Sequence, residues 1–527
     1  MRKYINILLF IIIIPVLLFS QPSNKWGDQG NGTYRNFILW TELSNPDVVR
    51  VGDDFYMVTS TIHLSPSIAV YHSRDLVNWQ IIGHVVSDIT EFSPKYGFDK
   101  MEGQGYGAWA ATLRYYNKKF WMYIIDPSEG LFMSTAQKAE GPWTKLFKVS
   151  DKLKNHDDCC PIWDDNGEAY LSCADFSKKR PNSEYQIRIF KMSENGQQLL
   201  DTGFVAYKGR IAEATKLYKI DSYYYLMFTE QLADRMQRIM RSKSIYGPYE
   251  VKTALMVNKD DPYKPITQGS LVQLADKKWM YIGQSNYTTI WGWPTALLPV
   301  HWVNGWPLIG TDSNNDGIGE MYWNYTKPIK SNSIYKPQST DEFNTEKLQP
   351  QWEFNFQPMP NAYSLKARKG YLRLNAFKTL NKNPWSVRNV MLQRIIGQNG
   401  KINVELETAQ MANGQNAGIC GFGAKRVRLI VERKADDDFQ VKLENENDST
   451  IIGESFKKLD KIWFRISHTD QIAEFSYSTD NKTFIQFEKQ WKLSRWSWLG
   501  TRFGIMTWNN NQDDGFVDFN WFRYKYN

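Results

Sequence analysis

Glu213 and Asp158 occupy matching places in the chain: each lies twelve residues before an aromatic, Tyr225 and Tyr170, that follows a short polar turn. The same count from Trp121 and Trp279 reaches Trp109 and Thr267, and a count of eleven from Tyr56 reaches Asn45, with Asp47 two residues on. Residues two apart on a strand share a face, so Asn45 and Asp47 are expected to point the same way. Carboxylates on inner strands cost desolvation, and their coincidence at one repeat position speaks for function rather than for chance caps and turns. Convergent acids beside aromatic platforms, with no nucleophilic Ser/His pair and no Gly-rich phosphate loop, suit hydrolysis of a glycosidic bond. One acid protonates the leaving oxygen while a second carboxylate activates water, the two standing roughly 6.5–9.5 Å apart in an inverting enzyme. A third carboxylate raises the pKa of the acid by like-charge repulsion.

The elements that must position these residues are legible as a repeat. A polar turn followed by an aromatic-rich apolar strand recurs as GDDFYMVTS (52–60), NKKFWMYII (117–125), DNGEAYLSC (165–173), IDSYYYLMF (220–228) and ADKKWMYIG (275–283). Second strands follow in VYHSRDLVNW (70–79), LFMSTAQKAEGPW (131–143) and RIMRSKSIYGPY (238–249). Helical periodicity is scarce, while short strands and Gly/Asn/Asp turns are dense. Five units of three or four strands each predict an all-β chain that opens with a five-bladed β-propeller, whose innermost strands line one axis.

The chain has 527 residues, 42% hydrophobic and 23% charged, the composition of a globular protein. Aromatics reach 15%. Four cysteines, Cys159, Cys160, Cys173 and Cys420, are too few for a disulfide scaffold and lack zinc-type spacing. Pairing of Cys173 with Cys159 or Cys160 is open, and Cys420 reads as a buried thiol. Arg2 and Lys3 precede an apolar run to about Phe19, which reads as a signal peptide over residues 1–20. Its removal takes two positive charges from a formal +8 and no negative one, and no dense Lys/Arg stripe remains. A nucleic-acid partner is therefore not expected, nor a membrane after cleavage, and the mature protein is expected to be periplasmic or extracellular.

The segments SNPDVVRVGDDFYMVTSTIHLSPSIAVYHSRDLVNW, HDDCCPIWDDNGEAYL, AEATKLYKIDSYYYLMFTE and LLPVHWVNGWPLIG resemble glycoside hydrolase family 43 over about residues 35–330. The resemblance implies a propeller of inverting β-xylosidases and α-L-arabinofuranosidases that act on arabinoxylan, arabinan or xylo-oligosaccharides. It assigns Glu213 as general acid and Asp158 as the aspartate that tunes and orients it, with Asp157 a weaker alternative because adjacent strand residues face opposite ways. Three departures stand out. The family's general base falls on Asn45, which leaves Asp47 as candidate base or the site impaired. The family's His-Gln-Gly reads Thr267-Gln268-Gly269, so no cofactor is expected and the usual support for a calcium ion is missing. Its Gly-Arg reads Gly292-Trp293. Trp109, Trp291 and Trp293 are candidate sugar contacts, and His63 is at most a polar contact. The alternative reading is a catalytically impaired carbohydrate-binding relative.

After Gly310 an Asn/Ser/Asp/Pro-rich stretch has linker composition. Short strands then resume in VRLIVER, FQVKL, WFRISH and IAEFSYS. They predict a β-sandwich over 336–527, after a propeller domain over 21–335. DEFNTEKLQPQW, GQNAGICGFG and FVDFNWFRY resemble the concanavalin-A-like jelly-roll sandwich appended to xylosidase-type members of the same family.

Overall fold

The computed structural model describes residues 26–527 except 233, 257–265, 286–289, 332–333, 384, 436, 447–448 and 497–498. The expected signal peptide lies outside the described residues. Strands dominate, and the helices among the described residues are single 3-10 turns.

Each sequence repeat supplies one four-stranded antiparallel sheet, its aromatic lying on the second strand. Sheet I contains Asp47–Val51, Asp54–Thr59, Ser67–Ser73 and Gln80–Val86, and sheet II contains Thr112–Tyr116, Lys119–Asp126, Gly130–Ala136 and Phe147–Ser150. Sheet III runs through His156–Trp163, Ala169–Asp175, Glu184–Met192 and Phe204–Arg210. Sheet IV runs through Glu213–Ile220, Tyr223–Gln231, Arg235–Ser242 and Glu250–Leu255. Sheet V runs through Ile266–Gln273, Trp279–Ser285, Thr295–Val303 and Trp306–Ile309. The first strands touch in the cyclic order I–II–III–IV–V–I, which closes the propeller around an axis. The second strands are apolar because both faces are covered by neighbouring sheets: Met122, Tyr123, Ile124 and Ile125 are all fully buried, as are Leu226, Met227 and Phe228.

The C-terminal region forms two large sheets. In Lys461–Thr469, buried Ile462, Phe464, Ile466 and His468 alternate with partly exposed neighbours, the period-2 signature of a strand with one face in a core. Leu429, Val431, Ile419 and Ile505 from one sheet share a core with Val404, Phe464, Phe519 and Phe522 from the other. The first of these sheets ends with Glu353–Asn355, and beyond it lies Leu64–Ser65, a segment of the propeller between two strands of sheet I.

A buried ion cluster also joins the two domains. Glu353 accepts from Arg394 at 2.8 Å, pairs with Arg502 at 3.0 Å and meets His84 of sheet I at 3.3 Å, while Arg502 reaches Glu42 at 3.0 Å. Burial would raise the Glu353 carboxyl, but Arg394 and Arg502 outweigh it and hold the group far below the usual carboxylate range.

Candidate active site

The first strands of sheets III, IV and V share one irregularity. Pairing with the second strand shifts between Asp157 and Cys160, between Glu213 and Lys216, and between Thr267 and Ser270, so that two residues oppose one. The first residue of each bulge is left-handed: Asp158 at φ +53°, Ala214 at +61° and Gln268 at +52°. Asn45 in sheet I, just before Asp47–Val51, has φ +54°. Non-glycine residues in this region are uncommon and gather at functional sites.

The register corrects the sequence alignment by one residue. Glu213 stands level with Asp157 and Thr267, whereas Asp158 stands level with Ala214 and Gln268. A bulge re-aims the side chain, so residues one step apart no longer face opposite ways. The Asp158 carboxylate accepts from the Ala214 N–H at 2.7 Å, and its carbonyl accepts from the Thr215 hydroxyl at 2.6 Å. Burial, then the nearby Glu213 carboxylate, push the Asp158 carboxyl up to about 6. Asp157, expected to face away, accepts the Asp158 N–H at 2.8 Å, and burial and Asp158 drive its pKa well above the carboxylate range.

Glu213 is more accessible than Asp158, its side chain 21% exposed against 3% for Asp158 as a whole. It accepts from Arg235 and from the Gln268 amide, the latter at 3.1 Å. Gln284 donates to Gln268, and its carbonyl accepts the Asn45 N–H at 2.5 Å. The Asn45 amide donates to Ser60 at 3.1 Å. A line of amides thus crosses the axis from Asn45 to Glu213. Arg235, Gln268 and Gln284 were not singled out as site residues from sequence. Gln268 stands inside the Thr-Gln-Gly triplet, but Arg235 and Gln284 sit in strands whose local sequence carries no catalytic motif.

Asp47 is not at this level, which corrects its candidacy as base. It lies two residues deeper, level with Thr112, Cys160, Lys216 and Ser270. Its side chain has no exposure, and its carboxylate takes the Leu113 N–H at 2.7 Å and the Arg114 guanidinium at 2.9 Å, with Lys216 at 3.6 Å. Arg114 also donates to Cys160 at 2.7 Å, and Lys216 donates to Thr112 at 2.9 Å. Asp47 is the anion of a channel plug, buried from solvent.

The tryptophans separate. Trp109 is half-buried, donates to the Gly105 carbonyl at 2.9 Å and lies nearly parallel to exposed Tyr106, 6.2 Å between centroids. Trp293 is half-buried. Trp291 is 4% exposed and donates to the Gly397 carbonyl of the sandwich at 2.7 Å. Its ring presents no face to a sugar, because the docked sandwich covers what the propeller alone would leave open. His63 lies between Phe356 and Trp496 of the sandwich, each 4.5 Å away, and burial lowers its pKa to about 3. Thr267 supplies neither imidazole nor carboxylate to a calcium ion. Among the described residues no three His, Cys, Asp or Glu side chains gather as metal ligands. A groove of about 1,220 Å³ around Asp88, Pro94, Trp352 and Tyr363 at the domain junction contains none of the site residues.

The model of glycosyl hydrolases family 43 matches residues 34–307. The chain belongs to glycosyl hydrolase family 43. A second match, to the beta-xylosidase C-terminal concanavalin A-like domain, covers residues 340–525 of this family 43 protein. It is 34% identical to a beta-xylosidase of Formosa agariphila over 96% of this chain and 92% of that protein. It is 33% identical to the non-reducing end alpha-L-arabinofuranosidase BoGH43B of Bacteroides ovatus, over 65% of each. The GH43 BlXynB protein of Bacillus licheniformis shares the fold with a TM-score of 0.80 over 93% of this chain and 99% of that one, at 23% identity.

Proposed function

We propose that this family 43 glycosidase removes terminal xylosyl residues, or arabinofuranosyl residues as the second choice, from plant-type oligosaccharides, with inversion. The observation that carries the reading is the pair of interlocked bulges that set Glu213 and Asp158 side by side. Glu213, reachable from solvent and held by Arg235 and Gln268, gives its proton to the glycosidic oxygen. Asp158 lies beside it and fixes the backbone of Ala214, the next residue along. Trp109 with Tyr106 supplies a stacking surface for the sugar. The choice of xylose rests on the names of the relatives that cover most of the chain. Action outside the cytoplasm rests on the N-terminal sequence and is supported by the Cys159–Cys173 disulfide, a bond that persists in oxidising compartments.

Asn45 favours a second reading. An amide orients water by hydrogen bonding but does not take its proton at useful rates, and Asp47 is sealed below. A sugar-binding relative with little turnover follows if nothing else accepts that proton. Release of aryl aglycone from β-xylosides and α-L-arabinofuranosides, compared between wild type and Glu213→Ala, decides the matter. Turnover lost in the variant supports the enzyme. No turnover in either, with xylose or xylobiose binding retained in calorimetry, supports the binding protein.

A further inference from the structure

Cys159 is the second residue of the sheet III bulge, and Cys173 is the residue it opposes on the second strand. The two are joined as a disulfide, both buried, at a Cα separation of 4.3 Å. Sheets IV and V carry the same bulge without a crosslink. The equivalent pairs are Thr215 with Phe228 and Gly269 with Gly283, and in sheet V a Cβ on Gly269 would stand 1.9 Å from the Ile282 carbonyl, so that bulge closes by having no side chain. The covalent tie is therefore not what makes a bulge form. It sits on the one bulge whose left-handed residue is a carboxylate.

From that residue three contacts lead onward. Asp158 accepts from Ala214 N–H, its carbonyl holds the Thr215 hydroxyl, and Thr215 meets Ser172, the neighbour of Cys173, at 2.9 Å. Ala214 and Thr215 are the bulge that directly follows Glu213. We propose that the Cys159–Cys173 disulfide is a positioning device for the reaction, which fixes the bulge that aims Asp158 and, through Ala214 and Thr215, the backbone of Glu213. The inference rests on the reading that Glu213 and Asp158 work as a pair. Misplacement by about 1 Å costs on the order of 100-fold in rate, so loss of the tie acts on turnover rather than on affinity. Asp158 is faced by Asp157 on its own strand and by Glu213, Lys216 and Arg235 from sheet IV, and a displaced Asp158 changes the repulsion at Glu213 and with it the pH profile.

The test compares wild type, Cys159→Ala/Cys173→Ala and Cys420→Ala, whose thiol is buried in the sandwich. Thiol titration of denatured, unreduced wild type should find two free thiols, Cys160 and Cys420; four would overturn the proposal. On aryl β-xyloside, the double variant, still melting cooperatively, should lose about tenfold or more in kcat with KM within about twofold, and its pH optimum should move. The Cys420 variant should match wild type. Equal kcat and pH profile in the double variant would reduce the disulfide to a staple and overturn the proposal. A crystal structure of the double variant gives a readout independent of activity: the Asp158–Ala214 hydrogen bond should be lost or displaced, and an unchanged bulge overturns the proposal even where wild type itself proves inactive and the glycosidase reading fails. Should the double variant not fold, Thr215→Val removes the next link and should show the same loss of kcat at constant KM; unchanged kinetics there overturns the proposal.

Discussion

Asn45→Asp is expected to accelerate this protein. The position is ready for a carboxylate: φ of +54° is a conformation that Asp adopts as readily as Asn. The Ser60 hydroxyl, which now accepts from the Asn45 amide at 3.1 Å, turns to donate, and the Gln284 amide already stands 3.5 Å from the side-chain oxygen. The exchange is nearly isosteric, so its stability cost should stay within about 1 kcal/mol. A positioned general base contributes on the order of 10²–10⁴-fold, or about 3–5 kcal/mol of barrier. The assay is steady-state release of aryl aglycone from a β-xyloside between pH 5 and 8, for wild type, Asn45→Asp and Asn45→Asp/Glu213→Ala. The expected result is a kcat at least about 100-fold above wild type, KM within a few-fold, and a new acid limb where the introduced carboxyl protonates. The gain should vanish in the double variant. A kcat for Asn45→Asp no higher than wild type would refute the reasoning, because water would then be activated from some place other than position 45.

Asp158→Asn should trade activity for stability. In the folded protein the Asp158 carboxyl is raised to about 6, so ionising it costs stability, and wild type loses that contribution as pH rises from its unfolded value through 6. The relief is worth roughly 3 kcal/mol at most, and the variant should melt above wild type at pH 7.5 but not at pH 4, by differential scanning fluorimetry. Asp47→Asn should leave Arg114 and Lys216 short of their anion and cost about 3–5 kcal/mol in denaturant titration. Its turnover per folded molecule should be retained; a stable but inactive variant would return Asp47 to catalysis. Glu353→Gln takes the carboxylate from Arg394 and leaves Arg502 paired with Glu42 in the domain junction, and should cost a similar amount at pH 7. Because the Glu353 carboxyl is held low, the difference from wild type should shrink as pH falls below about 4, and a constant difference would count against the ion cluster.

The repeat aromatics Tyr56, Trp121, Tyr170, Tyr225 and Trp279 announced the second strand of every sheet because those strands are covered on both faces. Counting back from them found Asp158 and Glu213 but matched the wrong partners, since a bulge with no glycine at its left-handed residue leaves no mark in Asp-Asp-Cys or Glu-Ala-Thr. The depth of Asp47 was equally hidden. Two residues along a strand keeps the face but moves about 6–7 Å down the channel, from the site into its plug. Arg235 and Gln284 enter from strands whose local pattern is ordinary: Arg235 reaches Glu213 across its own sheet, and the closure of the ring brings Gln284 to Asn45. Trp291 looked free for a ligand because the sequence does not tell which face of the propeller the sandwich covers.

That covering is more than contact. Leu64–Ser65 of the propeller hydrogen-bonds to Glu353–Asn355 and so becomes the outermost strand of a sandwich sheet. The two family modules are therefore not exchangeable cassettes. A chain cut after the linker would leave the sandwich with a raw sheet edge, and the propeller with Trp291 and Glu42 bare, surfaces that invite aggregation. Shuffling either half onto a foreign partner would succeed only where the graft carries its neighbour's strand with it, and the boundary that matters for engineering runs through the middle of a β-sheet rather than along the peptide that joins the halves.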